Sequence, residues 1–450
     1  MLTSSRPVPS TGEWHSLSGW GRKPSTSSRV VRPHDLADLS NVIADGTDQI
    51  ARGLGRSYGD AAQLAGGTVV DMTAIRGVDL DPESGVVTAM AGTSLNEILE
   101  VSVPQGWFLP VTPGTRHVTI GGAIAADVHG KNHHRDGSLG NHVESLQMII
   151  SDGHLVDLRP GSDPFASTLG GMGLTGLITN ATLRLTPIET TAMSVHTTAM
   201  PDLATTMEEL FESDAHYRYS VAWADLSHRK VRGLVMAANH ATVDEVPGPL
   251  PARYRGDGLI SLPDWCPGVV NHFTVDMFNR MWYALGRRRT GRRIESLGSF
   301  FYPLDRIGVW NRLYGEMGFL QYQFVVPLGH EDTVLEIAGM LMRMPTPVSL
   351  AVLKRMGEAS PGYLTFPIPG WTLAVDMPLG DPDLGRTLDE CDSKVAAAGG
   401  RIYLAKDSRL RREFVEEMYP KLSTWRRAQA RLDPEGRLRS NLSLRLGLTH

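Results

Sequence analysis

The pattern of apolar and polar positions over residues 29–190 reads as alternating short strands and helices, and the texture then changes. Residues 68–72 (Thr-Val-Val-Asp-Met) and 85–90 (Gly-Val-Val-Thr-Ala-Met) have strand composition. Ser94 followed by Glu97 is a capping-box pattern that opens a short helix. Residues 148–157 read as a hairpin turning at Asp152-Gly153, and 181–186 as a closing strand before Pro187. Beyond residue 190, helical stretches at 203–211 and 333–344 alternate with strand-like 219–223 and 321–326. That alternation predicts an antiparallel sheet backed by helices, hence an α+β substrate domain over 191–400. A stretch over 247–293 has no clear period and is punctuated by Pro249, Pro251, Pro263 and Pro267. It is expected to be a long loop, functional or mobile. Its arginine-rich end, beside Trp282, Tyr283 and Leu285, has two readings: a solvated basic loop, or a contact for anionic lipid headgroups and shallow acyl chains.

At 450 residues the chain exceeds one ordinary core, so two domains are expected. A formal charge of −5 supplies no basic field for nucleic acid. Two cysteines, Cys266 and Cys391, exclude a disulfide framework or a thiolate metal site, and a single bridge between them stays open. No stretch approaches the ~20 apolar residues of a membrane span, and residues 1–28 carry no apolar signal core. Synthesis for the cytoplasm is the simple expectation.

Two glycine-rich loops carry the chemistry. The first runs through Ala51, Arg52, Gly53, Leu54 and Gly55, then Arg56, Ser57, Tyr58, Gly59, Asp60 and Ala61. Gly53, Gly55 and Gly59 are expected to permit positive φ and close approach to a ligand, and Arg52 and Arg56 to add forked donors. The second contains Gly114, Thr119, Ile120, Gly121 and Gly122, continues through Ala126, Asp127 and Val128, and ends in His129, Lys131, His133 and His134. Neither loop is a Rossmann or P-loop signature. Two such loops about sixty residues apart, with a titratable cluster at the end, suggest a dinucleotide lying across a domain with its reactive end near the histidines. A metal held by His129 and His133 lacks carboxylate or thiolate partners, so no metal site is assigned.

These loops, together with 170–176 (Gly-Gly-Met-Gly-Leu-Thr-Gly), 318–324 (Gly-Phe-Leu-Gln-Tyr-Gln-Phe), 366–371 (Phe-Pro-Ile-Pro-Gly-Trp) and 403–409 (Tyr-Leu-Ala-Lys-Asp-Ser-Arg), resemble flavoproteins of the vanillyl-alcohol-oxidase type, with a PCMH-type FAD domain. Within that type the match is most similar to the decaprenylphosphoryl-β-D-ribose 2'-oxidase family, and it spans nearly the whole chain. The resemblance implies a two-domain α+β fold: an FAD-binding domain over 5–190, the substrate domain over 191–400, and a segment over 401–450 that returns to the FAD domain. Relatives that bond flavin covalently carry a histidine in the first loop. Here 55–58 reads Gly-Arg-Ser-Tyr, which implies noncovalent FAD.

The implied reaction is oxidation of the 2'-hydroxyl of polyprenylphosphoryl-β-D-ribose to the 2'-keto sugar. It is the first half of an epimerisation that makes the arabinose donor for cell-wall arabinan. A separate NAD(P)H-dependent keto-reductase would complete it, and the lipid substrate implies a peripheral place at the plasma membrane, on either face. A sugar-lactone or alditol oxidase of the same fold, using oxygen, is the alternative enzyme, and a catalytically silent flavin scaffold the non-enzyme reading.

Hydride loss from a sugar carbon to flavin requires the hydroxyl to give up a proton and favours a nearby ammonium. The motif around Tyr403 and Lys406 matches the family's active-site lysine, and His129 matches its flavin-side histidine, so both are catalytic candidates. Gln321 and Gln323 alternate on a strand and face one side. With Phe319, Tyr322 and Phe324 they read as a pocket floor. Lys354 is placed at the substrate phosphate, Tyr58 and Lys131 near the ring system and pocket, Trp223 at the cavity wall, and Ile178 at the flavin. The family often has a cysteine near the flavin, the target of mechanism-based nitroaromatic inhibitors. Here Ala374 stands there, and Thr372 and Phe301 replace its usual asparagine and tyrosine.

Overall fold

Strand pairing sorts the chain into an N-terminal group of small sheets and one large sheet that follows them. The computed structural model describes residues 12–449 except 228–230, 252, 255–261 and 264. The expected domain start at residue 5 and the first part of the polar N-terminal stretch lie outside the described residues. A four-stranded sheet has the order Glu13–Ser18, Ser25–Val31, Thr68–Asp71, Gln49–Arg52, with Thr68–Asp71 parallel to both its neighbours. A five-stranded antiparallel sheet follows as Val78–Asp81, Val86–Met90, Leu177–Arg184, Val143–Ile149, Leu155–Leu158. The capping box at Ser94 forms: its hydroxyl accepts from the Glu97 amide, and Glu97 accepts from the Ser94 amide at 2.8 Å.

The eight-stranded sheet is antiparallel throughout, in the order Gly291–Ser296, Ala192–Met200, Arg232–His240, Tyr219–Asp225, Leu350–Met356, Gly370–Pro378, Phe319–Pro327, Arg401–Ile402. The pleat gives its two faces different chemistry. Leu320, Tyr322, Phe324, Leu353, Leu373 and Val375 join a core completed by the helices Leu203–Ser213, Glu331–Met342 and Leu384–Ala397. Each such fully buried side chain contributes roughly 1.5–3 kcal/mol. Register places Gln321 opposite Asp376, Gln323 opposite Ala374, Ala374 opposite Val352, Thr372 opposite Lys354, and Val352 opposite Trp223. Directly paired residues point the same way, so these side chains share the other face. Tyr322 and Phe324 therefore cannot floor the pocket with the two glutamines. Period two sends them into the helix-covered core, while Phe319 stays on the glutamine side.

The 247–293 stretch is also corrected. It contains a 17-residue helix, His272–Arg288, begun by a capping box between Asn271 and Thr274, and then the edge strand Gly291–Ser296. Its apolar residues are spread around much of the helix circumference, which hid the period. Among the described residues no helix is long and apolar enough to cross a membrane.

The end of the chain packs back on its beginning. The Gln49 amide donates to Arg437 O at 2.8 Å, Arg439 N donates to Gln49 O at 3.0 Å, and Arg445 forms ion pairs with Asp60 (2.8 Å) and Asp407 (2.9 Å).

Candidate active site

The glycines of the first loop act mostly within the protein. Gly55 has φ +63°, but Gly53 and Gly59 do not adopt positive φ. A Cβ on Gly53 would fall 2.1 Å from Thr119 Oγ1, and one on Gly59 would fall 2.0 Å from Asp407 O. The absence of side chains thus lets the second loop and the 403–409 segment close onto the first. Tyr58 N donates to Ala405 O at 3.0 Å, and the Tyr58 carbonyl accepts from Gly21 N at 3.0 Å. Arg52 is not an outward-facing fork: its guanidinium donates to Ala62 O (3.0 Å) and Ser18 O (2.7 Å). The Arg56 guanidinium lies 3.8 Å from the centre of the Trp20 ring. Asp60 is committed to Arg445, Ala61 is in the core, and Leu54 is exposed. Ala51 lies within the parallel strand Gln49–Arg52 beside Val70, and Ile178 is buried in the five-stranded sheet.

Thr119 caps the short helix Ile120–Ala125, accepting from Gly122 N at 3.3 Å. Gly121 packs against Ala91, while Gly114 has open space where a Cβ would stand. Asp127, at φ +41°, then turns the chain. Its buried carboxylate accepts from Gly140 N at 3.0 Å, Thr365 Oγ1 at 2.6 Å and the Ser360 hydroxyl. That anchor sends Val128 and His129 toward the glutamine face of the large sheet.

His129 is the meeting point. Lys354 Nζ lies 3.0 Å from its Nδ1 and 3.3 Å from Gly130 O, and Gln323 Nε2 lies 3.1 Å from its Nε2. Gln323 also donates to Thr372 Oγ1 at 3.2 Å. The imidazole is flanked by Phe366 and Tyr403, whose rings stack 4.7 Å apart, and Tyr403 donates to Ala126 O at 2.9 Å. Burial, reinforced by Lys354, holds the His129 imidazole well below the ordinary histidine range. His133 meets the His129 ring edge-on, 6.3 Å between centres, whereas His134 is turned away. His133 bonds Ser138 (3.1 Å) and accepts from Gly357 N (3.1 Å), and His134 contacts Tyr217 O (3.2 Å).

A second group surrounds Tyr58. Lys406 Nζ sits 3.8 Å from the centre of the Tyr58 ring. Gln321 Nε2 donates to Asp376 Oδ1 at 2.5 Å and to Tyr58 OH at 3.4 Å. Burial pulls Lys406 down to about 8, and Asp376 keeps it from falling further. Burial also lifts Asp376 to about 7. Lys354 is brought down to about 7 by burial, with Lys131 and Lys406 adding repulsion. Lys131, also lowered to about 7 by burial, donates to Phe300 O and lies 4.2 Å from the Phe300 ring centre. Three lysines thus share one electrostatic neighbourhood, with Trp223 on the same face.

Sequence reasoning missed Asp376. A signal was present: the Gly370–Pro378 strand is apolar except where Thr372 and Asp376 recur on one face. It also missed Arg116 and His117. Arg116 Nε, His117 Nε2 and Asp376 Oδ2 are buried without a hydrogen-bond partner among the described residues. Their hydrogen-bonding capacity is left available to a bound group or to water. Both cysteines are free.

Comparison with known proteins agrees with this geometry. Residues 27–159 match the FAD binding domain family. The chain is 39% identical to decaprenylphosphoryl-β-D-ribose oxidase of Mycolicibacterium smegmatis, over 96% of this chain and 97% of that protein. It is 36% identical to an uncharacterised protein of Streptomyces coelicolor, over 79% of this chain and 100% of that protein. An L-gulono-1,4-lactone dehydrogenase of Mycobacterium tuberculosis is 26% identical over 53% of this chain and 55% of its own length.

Proposed function

Because the chain belongs to the FAD-dependent oxidoreductase family of decaprenylphosphoryl-β-D-ribose oxidase, we propose that it oxidises the 2'-hydroxyl of a polyprenylphosphoryl-β-D-ribose to the 2'-keto sugar. The observation that carries this reading is the convergence of Lys354 and Lys406 on His129, with Lys131 near enough to Lys354 to act on its charge. An anionic phosphate beside these buried lysines would favour their protonated forms, which suits a phosphoryl sugar. The fit to FAD rests on the two loops closed on each other at Gly53 and Thr119, and on the unpartnered Arg116 and His117 nitrogens beside them. FAD, held noncovalently because residues 55–58 offer no histidine, supplies the hydride acceptor.

The cofactor-contacting residues are assigned to 51–61, to Gly114, to 119–122 and 126–129, and to Ile178, Tyr403 and Lys406. Arg52, Asp60 and Ala61 act there through the backbone and by bracing the loop. Lys354 binds the substrate phosphate, while Gln321, Gln323 and Tyr58 orient the sugar hydroxyls. Lys131 and Trp223 bound the pocket. Lys406 or His129 takes the hydroxyl proton as C2' loses hydride. The chain then divides into a cofactor unit (5–190), a substrate unit (191–400) and a returning segment (401–450). A separate NAD(P)H-dependent reductase would reduce the keto product, completing epimerisation toward cell-wall arabinan, with the protein peripheral to a membrane.

Anaerobic mixing with a short-chain polyprenylphosphoryl ribose tests the reading. Bleaching of the flavin by that compound, and not by free ribose or aldonolactones, is expected. Bleaching by lactones or alditols instead would move the chain to the lactone-oxidase alternative.

A further inference from the structure

The His272–Arg288 helix is amphipathic in an inverted sense. Its inner face holds Val275 and Asn279, with Asn279 Nδ2 donating to Asp225 Oδ1 at 2.9 Å. Tyr283 OH reaches Met200 O at 3.3 Å, and Gly286 permits close contact with Leu234. At 100° per residue, the opposite half of the surface carries Phe273, Met277, Met281 and Leu285 in one i, i+4 row, with Phe278 beside it and Trp282 on the flank next to Val275. These residues face solvent: Phe273 is 76% exposed, Met277 57% and Met281 54%. Phe278 and Trp282 stack on each other, 6.0 Å apart. A contiguous apolar stripe of this size marks an interaction surface.

Its surroundings select the partner. Arg287, Arg288 and Arg289 close the helix, and an open cleft of about 600 Å³ beside it is lined by Arg289, Arg293 and Arg306 with Glu295, Ser296 and Ser299. A second copy would cover the apolar row but supply no anionic surface to these arginines. An anionic bilayer meets both halves of the surface, with headgroups at the guanidiniums and acyl chains at the apolar row. The helix also lies on the sheet face that carries Trp223 and Lys354, since Asp225 and Leu234 belong to that face.

We propose that the outward face of the His272–Arg288 helix docks this protein onto anionic lipid bilayers, laying the helix in the interfacial plane beside the site mouth. This rests on the lipid-linked substrate reading for its purpose, though its test does not. The test is co-sedimentation of the flavin-loaded protein with phosphatidylglycerol-containing vesicles and with pure phosphatidylcholine vesicles. Binding to the anionic vesicles at least about tenfold tighter, weakened by salt, is expected. The variant Phe273→Ser/Met277→Ser/Leu285→Ser should lose about tenfold or more of that affinity. It should keep its flavin spectrum and its turnover of a water-soluble short-chain substrate.

Equal vesicle binding by wild type and variant, or none by wild type, overturns the proposal. So does a variant that loses self-association or a protein partner and not vesicle binding. If vesicles bind as expected but phosphoryl ribose never reduces the flavin, the surface stands and the substrate reading falls.

Discussion

Lys354 Nζ lies 3.0 Å from His129 Nδ1, and the direction of that hydrogen bond is set by the charge on the lysine. A neutral imidazole carries one N–H. When Lys354 is an ammonium it donates to Nδ1, so the proton sits on Nε2, and the Gln323 amide has to turn its Oε1 toward that proton to accept it. When it is a free amine it accepts from Nδ1–H, and Nε2 is left to accept from Gln323 Nε2, 3.1 Å away. With Lys354 brought to about 7, both forms are populated near neutrality. Nitrogen-15 spectra of labelled histidine should show His129 exchanging tautomer as pH passes about 7, without becoming imidazolium. In Lys354→Met the exchange should vanish, and affinity for the phosphoryl sugar should fall by roughly 10–100-fold, the loss of one charged hydrogen bond. A tautomer change that survives in Lys354→Met would sink this coupling.

Lys406 accepts a proton only as the free amine, whose fraction grows as pH rises through about 8. Anaerobic flavin reduction should therefore accelerate with pH and level off above that value. Lys406→Ala should lack this limb and reduce about 10²–10⁴-fold more slowly. Asp376 raises the Lys406 value, so Asp376→Asn should move the limb to lower pH. A limb retained in Lys406→Ala and lost in His129→Ala would assign the proton to the histidine.

Ala374 is partly exposed on the glutamine face, paired with Gln323. It offers no thiolate. Turnover in the presence of nitroaromatic inhibitors of the mechanism-based type should leave the protein mass unchanged, whereas Ala374→Cys should gain a stable adduct. A mass adduct on the natural chain would refute the prediction.

Gly59 and Gly114 make a matched pair. Gly59→Ala would force a Cβ to 2.0 Å from Asp407 O, a backbone atom that cannot step aside, whereas Gly114→Ala meets nothing within 4 Å. Thermal unfolding of the Gly59 variant should show a loss of about 1–3 kcal/mol with FAD released during purification. The Gly114 variant should unfold like the parent. Equal stability of the two would contradict the packing described.

Much of the site was legible because it obeys local rules. The alternation of Gln321 and Gln323 put both on one face, and Ser94–Glu97 announced its own helix. The partnership of His129 with Lys354 was not legible as a contact, since it joins a loop to a strand 225 positions away by packing of the loop onto the sheet. The arginines of the first loop misled because charge near glycines reads as ligand binding, while burial turned Arg52 toward carbonyls of its own chain. The His272–Arg288 helix escaped because apolar residues on its outward row, its flank and its inner face together blur the period.

The ion pairs from Arg445 to Asp60 and Asp407 have a consequence for timing. The loop after Gln49–Arg52 is made early in translation, yet the residues that clamp it are made near the end. A nascent chain cannot close this clamp on the loop proposed to hold flavin until Arg445 has left the ribosome. On that reading cofactor is acquired late, and chains stalled or cleaved before Arg445 should emerge colourless.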